Sequence, residues 1–490
     1  MDQSRAPVLE ALQEFRSRGD VVYGPPGHKQ GRGVDPRVLE VVGADVFRAD
    51  VLLLNGLDDR RESQGVLDRA QELMADAVGA EQAFFSTCGS SLSVKTAMLA
   101  VAGPGEKMLV SRNAHKSVIA AVIVNGVEPV WVHPKGDPER HLVHPPEADD
   151  VRARLREHPD AKGMLLITPT DWGTCADIRS VARVCHEHDV PLVVDEAWGA
   201  HLPFHPGLPP WGMDHEADLV VTSVHKMGGA IEQSSVFHLQ YDRISPEALK
   251  QREDLLGTTS ASTLVYATLD GWRRQMAEHG HELLDAALHR AKRIRAAIEA
   301  LPGLHPMGGE VVEEGLAAAF DPLKIVVDVR GLGISGMQGA EWLRTHRHVD
   351  VGGSDTCRMS VSVTHADDDA TEEKLLDALG ALVEGAEAIG RRPPVRLPDP
   401  PALELEQAVL PREAFFAPAE HVPADRAVGR VAAETISPYP PGVPAVAPGE
   451  VITREIVDYL RSGADHGVLL PDAADPTART LRVMARRNGR

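Results

Sequence analysis

The chain has 490 residues, 43% of them hydrophobic and 25% charged, an ordinary globular composition that excludes disordered, collagen-like and coiled-coil classes. Its formal net charge of −21, from 51 basic and 72 acidic residues, argues against nucleic acid or an anionic membrane as the main partner. The same charge is compatible with a cationic substrate. At roughly 100–200 residues per domain, the length predicts two to four folding units.

The spacing of the cysteines and the length of the apolar runs indicate in which cellular compartment the protein is expected. The four cysteines form no CxxC pair and have no histidine at zinc spacing, so neither a disulfide framework nor a metal site is expected. The N-terminal MDQSRAPVLEALQEF lacks the apolar stretch of a signal peptide, and no apolar run reaches the ~20 residues that cross a bilayer. We therefore expect a cytoplasmic protein that is neither secreted nor inserted in a membrane.

Short apolar runs alternate with helical patterns between about residues 65 and 240. Such runs are typical of buried parallel strands, and the alternation predicts a doubly wound, mostly parallel sheet with helices on both faces. Ligands bind at the carboxyl ends of the strands in such sheets. The predicted strands are Ala83–Phe85, Met108–Val110, Pro129–Val132, Met164–Ile167, Pro191–Val194 and Leu219–Thr222.

The rest of the chain divides by composition. We expect an N-terminal arm over 1–30, a major domain over 31–300 that ends in a long helix, and a smaller α+β domain over 301–390. The proline-dense RRPPVRLPDPP (391–401) predicts a linker, and a C-terminal α+β domain follows over 402–490.

Two predicted strands end in residues that can carry chemistry. VVDEAWGAH (193–201) places Asp195 at a strand's carboxyl end, where an acid can bind a metal, act as a base, hold a cationic ring nitrogen, or simply cap a helix. VVTSVHKMGGA (220–230) places Lys226 after the next strand, beside small residues. A desolvated lysine there can form a Schiff base, whereas most lysines are solvated surface groups.

Two further loops follow strands in the same way. FFSTCGSSLSVKTAML (84–99) reads as strand, loop and helix, so Gly89, Ser90 and Ser91 would form a phosphate cradle at a helix N-terminus. SRNAHKSV (111–118) places His115 just past another strand. Each signal alone is weak, because many loops of this kind are Ser- or Gly-rich and a lone histidine is usually structural.

The four pieces together describe a site for pyridoxal 5′-phosphate (PLP). They supply a phosphate cradle, an acid for the pyridine nitrogen, a flat imidazole and a nucleophilic lysine. A carboxylate that keeps the ring nitrogen protonated lets the ring accept electrons from the substrate Cα.

The sequence also resembles the fold-type-I PLP-dependent ornithine/lysine/arginine decarboxylases over nearly its whole length, in the form of the shorter members that lack an N-terminal regulatory domain. The most distinctive match is the last of the following motifs. They are GPPGHKQG (24–31), LNGLDD (54–59), RNAHKS (112–117), DEAWGAH (195–201), SVHK (223–226), TTSAS (258–262), DPLK (321–324), AVGRVAAE (427–434) and PYPPGVPAVAPGEVIT (438–453).

The resemblance implies a role for each site residue. Lys226 would carry the cofactor, Asp195 would pair with its ring nitrogen, and His115 would stack on the ring opposite Ala197. Thr258 and Thr259 would reach the cofactor across the interface of a homodimer or higher homo-oligomer. The phosphate would be held by Gly89, Ser90, Ser91, Ser223 and His225.

Departures from the family pattern concern the substrate. The PTYxG segment reads PTDWG (169–173), which makes Asp171 a candidate acid for a distal cation, with Glu434 a weaker one. Trp198 replaces the histidine often found in short members. Arg358 resembles the arginine with which aminotransferases of this fold grip the substrate carboxylate, although it can equally be a structural residue beside a strand.

The function expected from the resemblance is decarboxylation of a basic amino acid (lysine, ornithine or arginine) to the amine and CO₂ through an external aldimine and a quinonoid. An Arg358 that binds the α-carboxylate would oppose its loss, so an aminotransferase or an oxidative decarboxylase/deaminase stays open as the alternative. A catalytically silent regulatory homologue is disfavoured because Lys226, Asp195 and His115 are all present.

Overall fold

The structure is a computed structural model that describes residues 1–52, 65–439 and 442–486. The motif LNGLDD (54–59) lies outside the described residues. The chain separates into two compact units. Unit 1 contains residues 1–100 and 193–284, and unit 2 contains residues 101–192 and 285–490. The predicted domain boundaries differ from this division and stay a prediction.

Helices and strands alternate along the first half of the chain, as the apolar runs predict. The helices are α1 Pro7–Arg18, α2 Pro36–Val42, α3 Ala44–Ala49, α4 Val66–Val78, α5 Gly89–Val101, α6 Lys116–Asn125, α7 Ala148–Glu157, α8 Ile178–Glu187, α9 Val224–Met227, α10 Pro246–Leu256, α11 Thr263–Glu299, α12 Glu310–Glu313, α13 Gly336–Arg347, α14 Asp369–Gly385, α15 Pro411–Phe416, α16 Ala424–Ala427 and α17 Arg454–His466. The strands are β1 Gln82–Ser86, β2 Lys107–Ser111, β3 Glu128–Val132, β4 Lys135–Asp137, β5 Leu142–His144, β6 Met164–Ile167, β7 Thr174–Cys175, β8 Leu192–Asp195, β9 Leu219–Ser223, β10 Ser235–Leu239, β11 His305–Met307, β12 Ala319–Phe320, β13 Lys324–Asp328, β14 Gly353–Ser354, β15 Arg358–Ser362, β16 Ala419–Pro423 and β17 Thr480–Met484.

Unit 1 holds strands in the order β1, β10, β9, β8. β8 and β9 are parallel, with Asp195 opposite Val221, whereas β10 runs antiparallel to both β9 and β1. The long helix α11 matches the helix predicted over 264–300 to within one residue at each end. Strand β10 was not predicted, because its sequence SVFHL is not an uninterrupted apolar run.

A buried ion pair on α11 anchors the N-terminal helix of unit 1. Arg273 and Asp270 are both fully buried and lie 2.8 Å apart. The Asp270 carboxylate accepts the backbone N–H of Val8 (2.8 Å), and Arg273 donates to the carbonyl of Gln3 (2.8 Å). The start of α1 is thus tied to α11 by polar contacts that water does not reach.

Unit 2 contains the parallel strands β6, β2 and β3, in that order. Its second sheet, in the order β11, β13, β15, β14, is antiparallel. The C-terminal part has its own core, in which α17 packs Ile456, Val457 and Leu460 among buried aliphatic side chains. Of the described helices, none is long and apolar enough to span a bilayer.

Two glycines test how tightly α13 is packed against the β14–β15 turn. A Cβ at Gly336 would lie 1.9 Å from the carbonyl oxygen of Arg358, whereas a Cβ at Gly380, inside α14, would meet nothing within 4 Å. We expect Gly336→Ala to lower the free energy of unfolding by about 3 kcal/mol, the upper end for overpacking. Gly380→Ala should instead raise it by about 0.5–1 kcal/mol, since alanine favours a helix interior. Urea titration of both variants measures this, and equal effects would contradict the close approach.

Candidate active site

Lys226 lies in a short helix directly after a buried strand. β9 ends at Ser223 and α9 begins at Val224, so the lysine leaves the sheet within one helical turn. Its Nζ lies 4.4 Å from the centroid of the Trp198 ring. An ammonium over an indole face is stabilised by the ring quadrupole. This half-buried contact places Trp198 beside the predicted cofactor lysine, and the substrate role that the sequence suggested for Trp198 stays a prediction.

The chain after Lys226 passes close to a tryptophan. A Cβ at Gly228 would lie 2.6 Å from the carbonyl oxygen of Val224 and 2.8 Å from the Trp272 ring. The backbone N–H of Gly228 donates to the same carbonyl (2.8 Å), which ends the helix. Glycine is therefore required here for steric reasons, and this constraint fixes where the turn carrying Lys226 ends.

Asp195 ends the neighbouring strand and is 5% exposed. Its Oδ1 accepts the backbone N–H of Ala197 at 3.2 Å, so the predicted acid and the predicted ring-facing alanine belong to one turn. The parallel pairing of β8 with β9 brings this turn to the same edge of the sheet as the turn that carries Lys226. Unit 1 therefore brings the acid and the amine together in the way the motifs predict.

Sequence reasoning missed Glu196. This side chain is fully buried, and its Oε2 accepts the N–H of Gly212 at 3.2 Å. Burial raises the pKa of Glu196 well above its usual value, the N–H of Gly212 opposes the rise, and the charge of Asp195 adds to it. The buried position of Glu196 therefore disfavours a second negative charge beside Asp195. Its only sequence signal was an acid adjoining a continuous apolar strand.

The phosphate cradle forms where α5 begins. Gly89 has φ +75°, a left-handed conformation that glycine adopts without strain. Ser90 Oγ lies 2.6 Å from Ser223 Oγ, while Ser91 is exposed. Deeper in the helix, Ser93 is hydrogen-bonded to Ser235 (2.9 Å) and holds α5 on β10. Two hydroxyls thus converge at the N-terminus of a 13-residue helix, which attracts anions.

His225 lies beside this cradle. Its Nδ1 is 3.1 Å from the carbonyl of Ser234, so Nδ1 carries a proton and donates it. Burial lowers the pKa of His225, the Ser234 carbonyl opposes this, and the charge of Lys226 lowers the pKa further. A neutral ring protonated on Nδ1 leaves Nε2 as an acceptor, so the predicted donation to phosphate requires a protonated ring.

Thr258 and Thr259 are exposed in the segment between α10 and α11. The Thr258 hydroxyl accepts the backbone N–H of Ser260 at 3.2 Å, which makes a local turn. Their predicted role across a subunit interface stays a prediction.

His115 belongs to unit 2, where it caps α6 immediately after β2. Its Nδ1 accepts the backbone N–H of Ser117 at 3.2 Å and lies 3.0 Å from the Ser117 hydroxyl. The ring is half-buried. Its main-chain position at a strand's carboxyl end is the predicted one, and its stacking role stays a prediction.

Arg358 is enclosed by partners from unit 2. It is 4% exposed, its Nε lies 3.0 Å from Asp355 Oδ2, and its guanidinium carbon lies 5.5 Å from the centroid of the Trp172 ring. Its Nη2 also donates to the carbonyl oxygens of Arg140 and His141. These contacts favour the structural interpretation of this arginine over a carboxylate grip.

The PTDWG segment lines a cavity of about 270 Å³ in unit 2. Trp172 is buried in its wall, and Asp171 is half-buried. Both apolar surface and acidic groups surround the space. The acidic lining residues are Asp137, Asp171, Asp355, Asp399 and Glu404.

Comparison with known proteins assigns the family. Residues 6–346 match the major domain of the Orn/Lys/Arg decarboxylase family. Residues 401–472 match the C-terminal domain of the same family. The chain belongs to the Orn/Lys/Arg decarboxylase family.

Two relatives and one solved structure are similar to this chain over nearly its whole length. An arginine decarboxylase of Bacillus anthracis is 36% identical over 487 residues, which cover 99% of this chain and 98% of the relative. One from Bacillus subtilis (strain 168) is 35% identical over 99% of both chains. The Francisella novicida lysine decarboxylase superposes with a TM-score of 0.82 at 19% identity, over 98% of this chain and 81% of that one. The predicted α/β fold type I is confirmed.

The decarboxylase is a PLP enzyme of amino-acid metabolism, and the residues of unit 1 fit that cofactor. Lys226 supplies an amine beside an aromatic face, and Asp195 supplies a buried carboxylate at the carboxyl end of the adjacent strand. Ser90 and Ser223 supply hydroxyls at a helix N-terminus. An aldehyde, a pyridine nitrogen and a phosphate each have a chemically suitable partner in this set.

Variants of two serines in α5, Ser90 and Ser93, distinguish a role in phosphate binding from a role in holding the helix on the sheet. We expect Ser90→Ala to weaken PLP affinity about tenfold, since a hydrogen bond to a charged group contributes roughly 1.5 kcal/mol. Fluorescence titration of the cofactor-free protein with PLP measures this. Ser93→Ala is the matched control, because it removes a buried hydroxyl contact in the same helix and should lower Tm with affinity unchanged within about twofold. An unchanged affinity in Ser90→Ala would remove Ser90 from the cradle.

Proposed function

We propose that the decarboxylase acts on arginine and releases agmatine and CO₂. The observation that carries this proposal is the identity of 36% and 35% to two arginine decarboxylases over almost the full length of all three chains. The cavity beside PTDWG supports it, because carboxylates and an aromatic wall suit a planar guanidinium.

Each unit 1 residue has a defined task in this proposal. Bound PLP supplies a ring that accepts the electron pair left when the bond between Cα and the carboxylate breaks. Lys226 holds the cofactor through its amine, and its Nζ is the group that can return a proton to Cα. Asp195 keeps the ring nitrogen protonated. Ser90, Ser223 and the start of α5 hold the phosphate.

The environment of these groups favours their tasks. Trp198 places an aromatic face 4.4 Å from Nζ of Lys226, the atom proposed to return the proton to Cα. Burial raises the pKa of Glu196, which disfavours a second negative charge beside Asp195, the proposed partner of the ring nitrogen. Loss of CO₂ also requires that the substrate carboxylate not be strongly held. Arg358, bound to Asp355 and two backbone carbonyls, is already occupied by internal partners.

Product analysis tests the reaction and the substrate together. The protein with PLP, given arginine, lysine or ornithine, should release CO₂ from arginine with a kcat/KM at least about tenfold above the other two, a difference of about 1.4 kcal/mol. Agmatine should form in equal amount. Keto-acid without CO₂ would mean an aminotransferase, and oxygen uptake with an aldehyde or keto product would mean an oxidative reaction. Preferred release from lysine would overturn the choice of arginine alone.

The lysine assignment has an optical test. Native protein with PLP should absorb in the visible, and borohydride should fix the cofactor on the peptide that contains Lys226. Lys226→Ala should lose both signals, because no other residue is proposed to attach the cofactor. Mass spectrometry of the digest identifies the labelled peptide. A label elsewhere, or an unchanged spectrum in the variant, would sink the assignment.

Asp171 is proposed to bind the guanidinium of the substrate. Asp171→Asn should raise KM for arginine roughly tenfold with a smaller change in kcat, because a charge-assisted hydrogen bond becomes a neutral one. Steady-state kinetics measures both constants. Asp149→Asn removes the same charge from a side chain that is 97% exposed in the same unit, and should leave KM unchanged. Equal KM values in the two variants would exclude Asp171 from substrate binding.

A further inference from the structure

The most distinctive sequence motif, PYPPGVPAVAPGEVIT (438–453), supplies none of the predicted cofactor-binding residues. Its Pro438, Val443, Pro444 and Ala445 do line the cavity beside PTDWG. Residues 440 and 441 lie outside the described part of the chain, Tyr439 is exposed, and the other residues of the motif are buried or half-buried in unit 2. The described part contacts RNAHKS (112–117), the loop that contains His115. More than 300 residues separate the two segments along the chain, so the contact is purely tertiary.

A buried ion pair joins the two segments. Arg112 and Glu450 are 6% and 1% exposed in their side chains. Arg112 Nη2 lies 3.1 Å from each carboxylate oxygen, and its Nε lies 3.3 Å from Oε1. Arg112 Nη1 also donates to the carbonyl of Pro444 at 2.7 Å, and the N–H of Ala447 donates to Glu450 at 2.7 Å. The side-chain hydrogen bonds of this pair therefore tie the loop to the motif and brace the motif itself.

Such a pair is a costly way to gain stability. Removing two charges from water costs several kcal/mol per ion, and their attraction often does no more than offset that cost. A buried, geometrically specific pair does, however, select one arrangement of the segments that it joins. The Arg112 guanidinium also lies 5.3 Å from the centroid of the Trp131 ring, which restricts it further.

The motif then reaches the histidine itself. Gly442 has φ +90°, and its carbonyl accepts the backbone N–H of Lys116 at 3.2 Å. A Cβ built on Gly442 would lie 3.5 Å from His115 Cδ2 and 3.6 Å from its Nε2. The backbone of the motif therefore lies against the ring edge opposite Nδ1, which is the nitrogen bound to Ser117.

We infer that the C-terminal motif is a positioning element for His115, and that Glu450 acts through Arg112 to hold the histidine loop. This inference rests on the proposed PLP decarboxylase function and on the stacking role that the family resemblance predicts for His115. Serine contacts fix one edge of the ring, the motif backbone borders the other, and the ion pair fixes the loop between them. Displacement by about 1 Å of a group that orients a cofactor or substrate can cost up to ~100-fold in rate.

Glu450→Gln tests the inference against a matched variant. Asp475 is also a carboxylate of the C-terminal part, half-buried, but it accepts the backbone N–H groups of Thr477 (3.0 Å) and Thr480 (2.9 Å). Both Glu450→Gln and Asp475→Asn should lower Tm. Only Glu450→Gln should lower kcat about 10- to 100-fold and alter the visible circular dichroism of bound PLP.

A second measurement does not depend on activity. Diethyl pyrocarbonate modifies accessible histidine nitrogens, and peptide mass spectrometry can follow His115 in the full-length protein with and without PLP. Modification of His115 should be several times faster in Glu450→Gln than in the native protein or Asp475→Asn, because the motif backbone no longer covers Nε2. Equal rates and equal dichroism in the two variants would overturn the inference.

If Glu450→Gln fails to fold, two glycine variants test whether the C-terminal motif positions His115. Gly442→Ala and Gly429→Ala both place alanine at positive φ, +90° and +76°, but a Cβ at Gly429 meets nothing within 4 Å. Gly442→Ala should change the dichroism of bound PLP and the His115 modification rate, and Gly429→Ala should change neither. Identical behaviour would overturn the inference. A native protein that releases no CO₂ from arginine yet shows these His115 differences would instead contradict the proposed function.

Discussion

The parallel pairing of β8 with β9 is the constraint on which the site in unit 1 depends. Val193, Val194 and Asp195 lie opposite Leu219, Val220 and Val221, so both strands reach the same edge in a fixed register. Successive side chains of a strand point to opposite faces, and a slip by one residue would exchange the positions of Asp195 and Glu196. Every residue of both strands is buried, so such a slip would require the side chains on both faces of the sheet to repack.

That register also determines the charges at the site. Asp195 accepts a backbone N–H at the strand end, whereas Glu196, one residue later, is fully buried, and burial raises its pKa. Two adjacent acids of the same chemical type therefore differ in their surroundings, and burial disfavours the charged form of Glu196. The strand end presents Asp195 as the proposed partner of a pyridine nitrogen, and the Trp198 ring lies 4.4 Å from Nζ of Lys226.

Strand ends and motif residues could be predicted from the sequence because they depend on local patterns. The run Met164–Ile167 was predicted with the bounds that β6 has, and Lys226 follows a strand as expected. β10 was missed because Ser235 and His238 interrupt its apolar pattern. Its His238 is tolerated only because burial lowers the pKa of that side chain to about 3, which keeps it neutral. That effect depends on neighbours from other strands, which no local pattern contains.

Long-range contacts explain the remaining differences between sequence and structure. Arg358 has Asp355 three residues away, but the carbonyls that complete its enclosure come from Arg140 and His141, more than 200 residues earlier. The pairing of Arg112 with Glu450 spans 338 residues. In both cases the guanidinium is bound by groups of its own chain that lie far away in sequence.

The internal contacts of Arg358 and of Arg112 affect the reaction in different ways. A guanidinium that binds the α-carboxylate stabilises the ground state and must be partly released before CO₂ departs, which raises the barrier to decarboxylation. Internal partners for Arg358 remove that stabilisation from unit 2. Internal partners for Arg112 instead stabilise one conformation of the loop beside His115. The net charge of −21 carries none of this information, because it is a property of the whole chain, whereas both effects depend on which carboxylate or carbonyl meets each guanidinium.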